Sequence, residues 1–212
     1  MGYFKDNEIS KIKKFLGTKI DNGFDFDLIV NSDDLDSEDS LTHELVSMFQ
    51  HLKKINSNIN YNVINNKKNT EEIVPVIRIK ELEDRIKFYG VPSGYQFGVF
   101  LETIDLIVNG KIKDISAEFK EFLELIDKKI ENKLFVIPGC QHCPIIAKIL
   151  ITSSYINKKI NTKIYYISDF PDLQKKYNIQ GVPTLIINDE YVYMGVQSEN
   201  KLIEIYNTVL KG

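Results

Sequence analysis

Both cysteines of the chain stand in the stretch Pro138-Gly139-Cys140-Gln141-His142-Cys143-Pro144. This stretch follows a short apolar run at residues 134–137 and precedes a longer apolar run at residues 145–156. The short run predicts a buried strand, and the long run predicts a helix that is covered on more than one side. We therefore expect the cysteines in the loop that joins a strand to the beginning of a helix.

This position suits a reactive thiol. Backbone N–H groups at the start of a helix have no partner within the helix, and the helix dipole is positive there. Both effects favour a thiolate at Cys140 and lower its pKa below the value of about 8.5 for an ordinary cysteine. Cys143 follows one turn later, where it can close a disulfide with Cys140, as thiol–disulfide exchange requires. We expect Gln141 and His142 to tune the thiol pKa, with His142 favouring the reduced form.

The spacing of the cysteines alone also fits two other functions. A tetrahedral zinc site needs four ligands, and His142 is the only other suitable side chain nearby in the sequence, so a closed site would need a second molecule. A copper(I) carrier would lack an adjacent methionine. Alternatively, the cysteines could merely anchor the fold of a binding adaptor that has no catalytic role.

A second motif, Gly181-Val182-Pro183-Thr184, leads into a strand-like run about 40 residues after the cysteines. Proline within a strand is normally confined to edges and bulges, and a cis Val182–Pro183 bond would explain its place here. A trans turn proline is the simpler interpretation of Pro183 by itself, but the cysteine motif favours cis. We expect this segment to present the backbone of Val182 to a substrate peptide.

The composition excludes several classes of protein. The chain has 212 residues, 43% hydrophobic and 27% charged, with a formal net charge of −3; this is an ordinary globular balance without a broad basic face for nucleic acid. No apolar run approaches the about 20 residues of a membrane span, and the first residues lack an export signal. Two closely spaced cysteines do not suit a secreted disulfide scaffold. We therefore expect a cytoplasmic protein without a bound cofactor, metal, nucleic acid or membrane partner.

The pattern of apolar residues predicts an α/β fold with an internal repeat. Three landmarks recur at nearly constant offsets: Leu28 precedes Leu134 by 106 positions, Pro75 precedes Pro183 by 108, and Gly90 precedes Gly195 by 105. Apolar residues at helical spacing fall at residues 9–16, 41–52, 97–108, 119–130 and 202–209. Strand-like runs fall at 26–30, 60–64, 74–79, 86–89, 134–137, 163–167, 184–187 and 191–193.

Together, the cysteine motif, the segment Lys176–Thr184 and the elements around them make the second half resemble a thioredoxin fold. The whole chain resembles the glutaredoxin-like protein disulfide oxidoreductases with tandem thioredoxin folds, and is also similar to the N-terminal region of the alkyl hydroperoxide reductase flavoprotein subunit. The stretch at residues 88–97, FYGVPSGYQF, resembles the signature of these families. Residues 93–96 within it also fit a helical capping box.

The resemblance implies two thioredoxin-like units with mixed central sheets packed side by side, at residues 1–112 and 113–212. It also implies exchange of disulfides with protein substrates through Cys140 and Cys143, beside a peptide-binding segment at Gly181, Val182, Pro183 and Thr184. A thioredoxin reductase-like flavoprotein would reduce the Cys140–Cys143 disulfide, and a peroxiredoxin is a candidate recipient of electrons from the reduced pair.

The chain departs from these families in two respects. The first half contains no cysteine, so we expect a single redox site; a gapless alignment of the two halves puts Asp34 and Ser37 where Cys140 and Cys143 stand. Thioredoxins also carry a buried acid in the strand before the motif, whereas residues 134–137 are wholly apolar. In thioredoxins this acid helps to deprotonate the second cysteine. Here that role is therefore empty or filled from elsewhere in the chain.

Overall fold

The computed structural model describes residues 4–16, 20, 23–66, 72–113 and 115–211. They form two compact units, Met1–Val91 and Pro92–Gly212. Both units combine helices with a mixed sheet, which confirms the α/β class. No helix among these residues is long and apolar enough to cross a lipid bilayer.

The described strands of the first unit follow the order β2-β1-β3-β4. Strands β1 and β2 are parallel, whereas β3 is antiparallel to both β1 and β4. The elements of this unit are α1 (Asp6–Leu16), β1 (Phe24–Val30), α2 (Leu41–Ile55), β2 (Ile59–Asn65), β3 (Val76–Ile79) and β4 (Ile86–Tyr89).

The second unit repeats this pattern, with its described strands in the order β6-β5-β7-β8. Strand β5 is parallel to β6 and antiparallel to β7, which in turn pairs antiparallel with β8. The elements are α3 (Gly94–Asn109), α4 (Ala117–Glu124), β5 (Ile130–Val136), α5 (Cys143–Ile156), β6 (Ile160–Tyr166), α6 (Pro171–Lys176), β7 (Thr184–Ile187), β8 (Tyr191–Met194) and α7 (Glu199–Lys211). The repeated pairing confirms the internal duplication at the level of topology.

The two compact units divide after Val91, whereas the sequence puts the boundary at residue 112. Helix α3 accounts for the difference, because it packs against α5 of the second unit. A boundary at residue 112 stays a prediction about which segments fold independently.

One predicted helix is shorter than its apolar pattern indicates. The pattern continues to residue 130, but α4 ends at Glu124 and Ile130 begins β5. Asn157, which follows α5, donates from Nδ2 to the carbonyl oxygens of Leu123 and Ile126 at 2.7 and 2.8 Å. These bonds satisfy carbonyl groups that a longer helix would use internally, so a residue distant in sequence helps to end the helix.

Candidate functional site

The two cysteines lie at the start of α5 and are joined by a disulfide bond, with their Cα atoms 5.5 Å apart. Cys143 is the first residue of the helix and is 0% exposed, whereas Cys140 is half-buried in the preceding loop. The backbone N–H of Cys143 donates to Sγ of Cys140 at 3.1 Å. A donor of the helix start therefore points at the more accessible sulfur, where it would stabilise a negative charge in the reduced protein.

The two residues between the cysteines, Gln141 and His142, are exposed. His142 stands at the N-cap position of α5 but makes no side-chain capping bond there, and Pro144 follows within the first turn. Gln141 donates from Nε2 to the Tyr95 hydroxyl at 3.1 Å. Tyr95 is thus a residue of the site that sequence patterns did not identify; its position in the signature FYGVPSGYQF is the one sequence signal that could have pointed to it.

The segment Gly181–Thr184 lies at the same end of the sheet as the cysteine loop, because Thr184 pairs with Phe135 near the carboxyl end of β5. The Val182–Pro183 peptide bond is cis. The Thr184 hydroxyl donates to the Gly181 carbonyl at 2.6 Å, and the Gly195 N–H donates to the Pro183 carbonyl at 2.8 Å. Pro183 and Thr184 are buried, while Gly181 and Val182 are half-buried.

The strand before the cysteines begins earlier than its apolar part and carries two buried polar side chains. Asn132 is 0% exposed and donates from Nδ2 to the Tyr206 hydroxyl at 2.9 Å. Lys133 is 8% exposed and donates from Nζ to Asp189 at 2.5 Å and to the Tyr177 hydroxyl at 3.3 Å. Burial alone would lower the pKa of Lys133, but these hydrogen bonds outweigh it and raise the pKa above its usual range. Lys133 is therefore a charged, paired group, and the buried polar side chains of β5 are an amide and an ammonium rather than an acid.

The first unit has a different loop at the corresponding place. Ten residues separate the end of β1 from the start of α2, whereas six separate β5 from α5. The gapless alignment is therefore wrong beyond the strand: Asp34 ends a short 3₁₀ turn, and Ser40 caps α2 by accepting from the His43 N–H at 3.0 Å. Asp34 and Ser37 both precede the start of the helix, so neither takes the place of Cys143.

No group of three or more histidine, cysteine, aspartate or glutamate side chains within the described residues could hold a metal ion.

Comparisons with known proteins agree with this geometry. Residues 130–207 match the model of the thioredoxin domain family. The chain is 34% identical over 86 residues to a probable thioredoxin of Archaeoglobus fulgidus, across 38% of this chain and 88% of that protein. It is 25% identical over 77 residues to a thioredoxin of Methanocaldococcus jannaschii, across 36% of this chain and 91% of that protein.

The likeness extends to the full length at the level of the fold. A protein disulfide oxidoreductase from Aeropyrum pernix superposes with a TM-score of 0.83 at 17% identity, across 98% of this chain and 94% of that one. An N-terminal domain of the alkyl hydroperoxide reductase AhpF from Enterococcus faecalis superposes with a TM-score of 0.78 at 20% identity, across 95% and 99%. These matches confirm the tandem thioredoxin-like fold that the sequence predicts.

The matched family model covers residues 130–207, which include the disulfide at the start of α5. The sequence match and the placement of the disulfide agree, and the chain belongs to the thioredoxin family of thiol–disulfide oxidoreductases.

Proposed function

We propose that the protein exchanges disulfides with protein substrates through the Cys140–Cys143 pair. In the reducing direction, the Cys140 thiolate attacks one sulfur of a substrate disulfide, and the other substrate sulfur leaves as a thiolate. The Cys143 thiolate then attacks Sγ of Cys140, and the substrate leaves fully reduced. Two electrons pass to the substrate, and Cys140 and Cys143 end as a disulfide.

The observation that carries this proposal is the difference between the two sulfurs. Cys140 is half-buried and its Sγ accepts the Cys143 N–H at 3.1 Å, while Cys143 is fully buried. An accessible sulfur with a helix-start donor suits the attacking thiolate, and a buried neighbour suits the thiol that resolves the mixed disulfide. Gln141 and His142 would tune the pKa of the attacking thiol.

The substrate chain would bind beside Cys140 along Gly181, Val182, Pro183 and Thr184. An extended peptide can pair with exposed backbone at the margin of a sheet, as in other peptide-binding proteins. Support comes from the register, which puts this segment and the cysteine loop at one end of the sheet.

The partners follow from the resemblance. A thioredoxin reductase-like flavoprotein would return electrons to the cysteine pair, a peroxiredoxin would be one recipient, and the reaction would take place in a reducing cytoplasm. The reduction potential of the cysteine pair tests the direction of electron transfer. A value of about −270 mV favours a reductant, and one of about −120 mV favours an oxidant.

Trapping of the mixed disulfide tests the mechanism. We expect Cys143→Ser to accumulate covalent adducts with protein substrates, since the resolving thiol is lost while Cys140 still attacks. These adducts should be seen on non-reducing gels and disappear on reduction. The matched control is Cys140→Ser, which should form none.

Absence of adducts with Cys143→Ser, together with full retention of function when both cysteines are serine, would instead favour a binding adaptor. Stoichiometric zinc or copper in anaerobically purified protein, protecting both thiols from titration, would favour a metal-binding module.

A further inference from the structure

Helix α3 lies outside the matched thioredoxin domain, yet its first turn contacts the cysteine loop. The N–H of Tyr95 donates to the Pro138 carbonyl at 3.0 Å, and the Tyr95 hydroxyl accepts from Nε2 of Gln141 at 3.1 Å. Tyr95 therefore holds this loop on both sides of Cys140, at Pro138 and at Gln141.

Gly94 allows this close approach. Its φ is +55°, and a Cβ at this position would lie 2.5 Å from the Pro138 carbonyl oxygen and 2.9 Å from the carbonyl carbon. Because these are backbone atoms, a side chain at residue 94 would have to displace the loop or the helix. Further along, Glu102 of α3 forms an ion pair of 2.5 Å with Lys148 of α5, so α3 is also joined to the helix that begins at Cys143.

The first residues of α3 also depend on the cysteine loop for a hydrogen bond. The sequence fits a capping box, but Ser93 makes no side-chain capping bond, and the side-chain amide of Gln96 has no hydrogen-bond partner among the described residues. The capping-box prediction is therefore wrong. Instead, the Pro138 carbonyl satisfies the N–H of Tyr95, one of the donors at the helix start.

We propose that the contacts of α3 hold the cysteine loop in place, a role that we call the brace. Gly94 and Tyr95 are then positioning residues for the Cys140–Cys143 pair. This inference rests on the proposed function. The contacts occur in the disulfide-bonded protein, so they favour the loop conformation in which the two sulfurs can bond. In the reduced protein, the same contacts limit the conformations of the loop and raise the effective concentration of one thiol at the other.

The measurement is the equilibrium constant for forming the Cys140–Cys143 disulfide in dithiothreitol or glutathione redox buffers, read by thiol alkylation. Tyr95→Phe keeps the backbone and removes only the hydroxyl acceptor, so this constant should fall by about two- to tenfold. Gly94→Ala, which adds a Cβ at a strained φ against the Pro138 carbonyl, should lower it by about tenfold or more. The disulfide becomes easier to reduce in both variants.

The matched control is Gly98→Ala in the same helix, where a Cβ would meet nothing within 4 Å. This variant should keep the wild-type equilibrium constant. The double variant Gln141→Leu/Tyr95→Phe should shift the constant no further than Gln141→Leu alone, because both substitutions remove the same hydrogen bond.

The outcomes separate the brace from the proposed function. If wild-type protein exchanges with the buffer but Tyr95→Phe keeps its equilibrium constant, the brace is refuted and the exchange activity stands. Because Tyr95→Phe alone decides this point, the test remains valid if Gly94→Ala, the variant with the larger expected shift, fails to fold. If the wild-type disulfide does not exchange at all, the proposed function fails and the brace with it. A fall in melting temperature without a shift in the equilibrium constant would indicate a merely structural role and also refute the brace.

Discussion

Cys140 and Cys143 acquire different properties although they have the same side chain. Cys143 begins α5 and is wholly buried, whereas Cys140 belongs to the loop and remains partly accessible. The difference comes from their positions relative to the start of the helix, which also supplies the N–H that points at Cys140. At the scale of single residues, the two environments therefore support the two proposed roles.

A partly buried carboxylate in the first unit, Glu72, illustrates a second residue-scale effect. Glu72 pairs with Arg78 and Lys87, and its side chain is 11% exposed. Burial by itself raises the pKa of Glu72, but the charges and hydrogen bonds of Lys87 and Arg78 outweigh it and hold the pKa below the ordinary value of 4.5. The ionised form is thus favoured in the folded protein.

Glu72→Gln should therefore lower the free energy of unfolding by about 1–3 kcal/mol at pH 7, since it removes the carboxylate that pairs with Lys87 and leaves Arg78 with its ion pair to Asp84 at 3.5 Å. A group with a lowered folded pKa stabilises the protein above its unfolded pKa and loses this effect as the pH falls through the folded value. Urea titrations of both proteins between neutral and acid pH should show the difference shrinking below pH 4.5. A difference that stays constant down to acid pH would contradict this account.

At the scale of elements, Gly98 within α3 and Gly110 directly after it are in opposite situations. Gly98 is an exposed residue in the helix interior, where an added Cβ would meet nothing within 4 Å. Gly110 ends the helix with φ +63°, and an added Cβ there would lie 3.4 Å from the Tyr155 hydroxyl. Only the second position uses the conformational freedom of glycine.

Alanine at these two positions should therefore have opposite effects. Gly98→Ala should raise the free energy of unfolding by about 0.5–1 kcal/mol, because glycine is a poor helix former. Gly110→Ala should lower it by about 1 kcal/mol, because alanine is strained at a positive φ. Thermal or denaturant unfolding measures both, and effects of the same sign would overturn the assignment.

At the scale of the whole molecule, the two units share a topology but not a chemistry. Both cysteines belong to the second unit, and the strand-to-helix loop of the first unit is longer and ends at a serine cap. The repeated fold is therefore compatible with a single redox centre, although both Val74–Pro75 and Val182–Pro183 are cis.

Reductive titration of the whole protein should consume two electrons per chain in one transition and expose two thiols per chain, since the sequence has two cysteines. Thiol titration in denaturant, before and after reduction, gives the count. A second transition would indicate disulfides between molecules, and substitution of both cysteines by serine should remove the transition entirely.

Much of the fold and part of the site chemistry can be predicted from the sequence alone. Apolar periodicity and the repeated landmarks predict the α/β class, the duplication and the order of most elements, because these depend on local spacing. The spacing of Cys140 and Cys143 at a helix start likewise predicts their disulfide chemistry. Polar residues at the beginning of a buried strand break its apolar pattern, so Asn132 and Lys133 lie outside the strand that the sequence predicts.

Features that depend on contacts between distant segments are visible only in the folded structure. The end of α4 is set partly by Asn157, the start of α3 by the Pro138 carbonyl, and the support of the cysteine loop by Gly94 and Tyr95. In each case, a group near the end of a helix or in a loop bonds to a residue far along the chain. Such pairings require a tertiary arrangement that local sequence spacing does not encode.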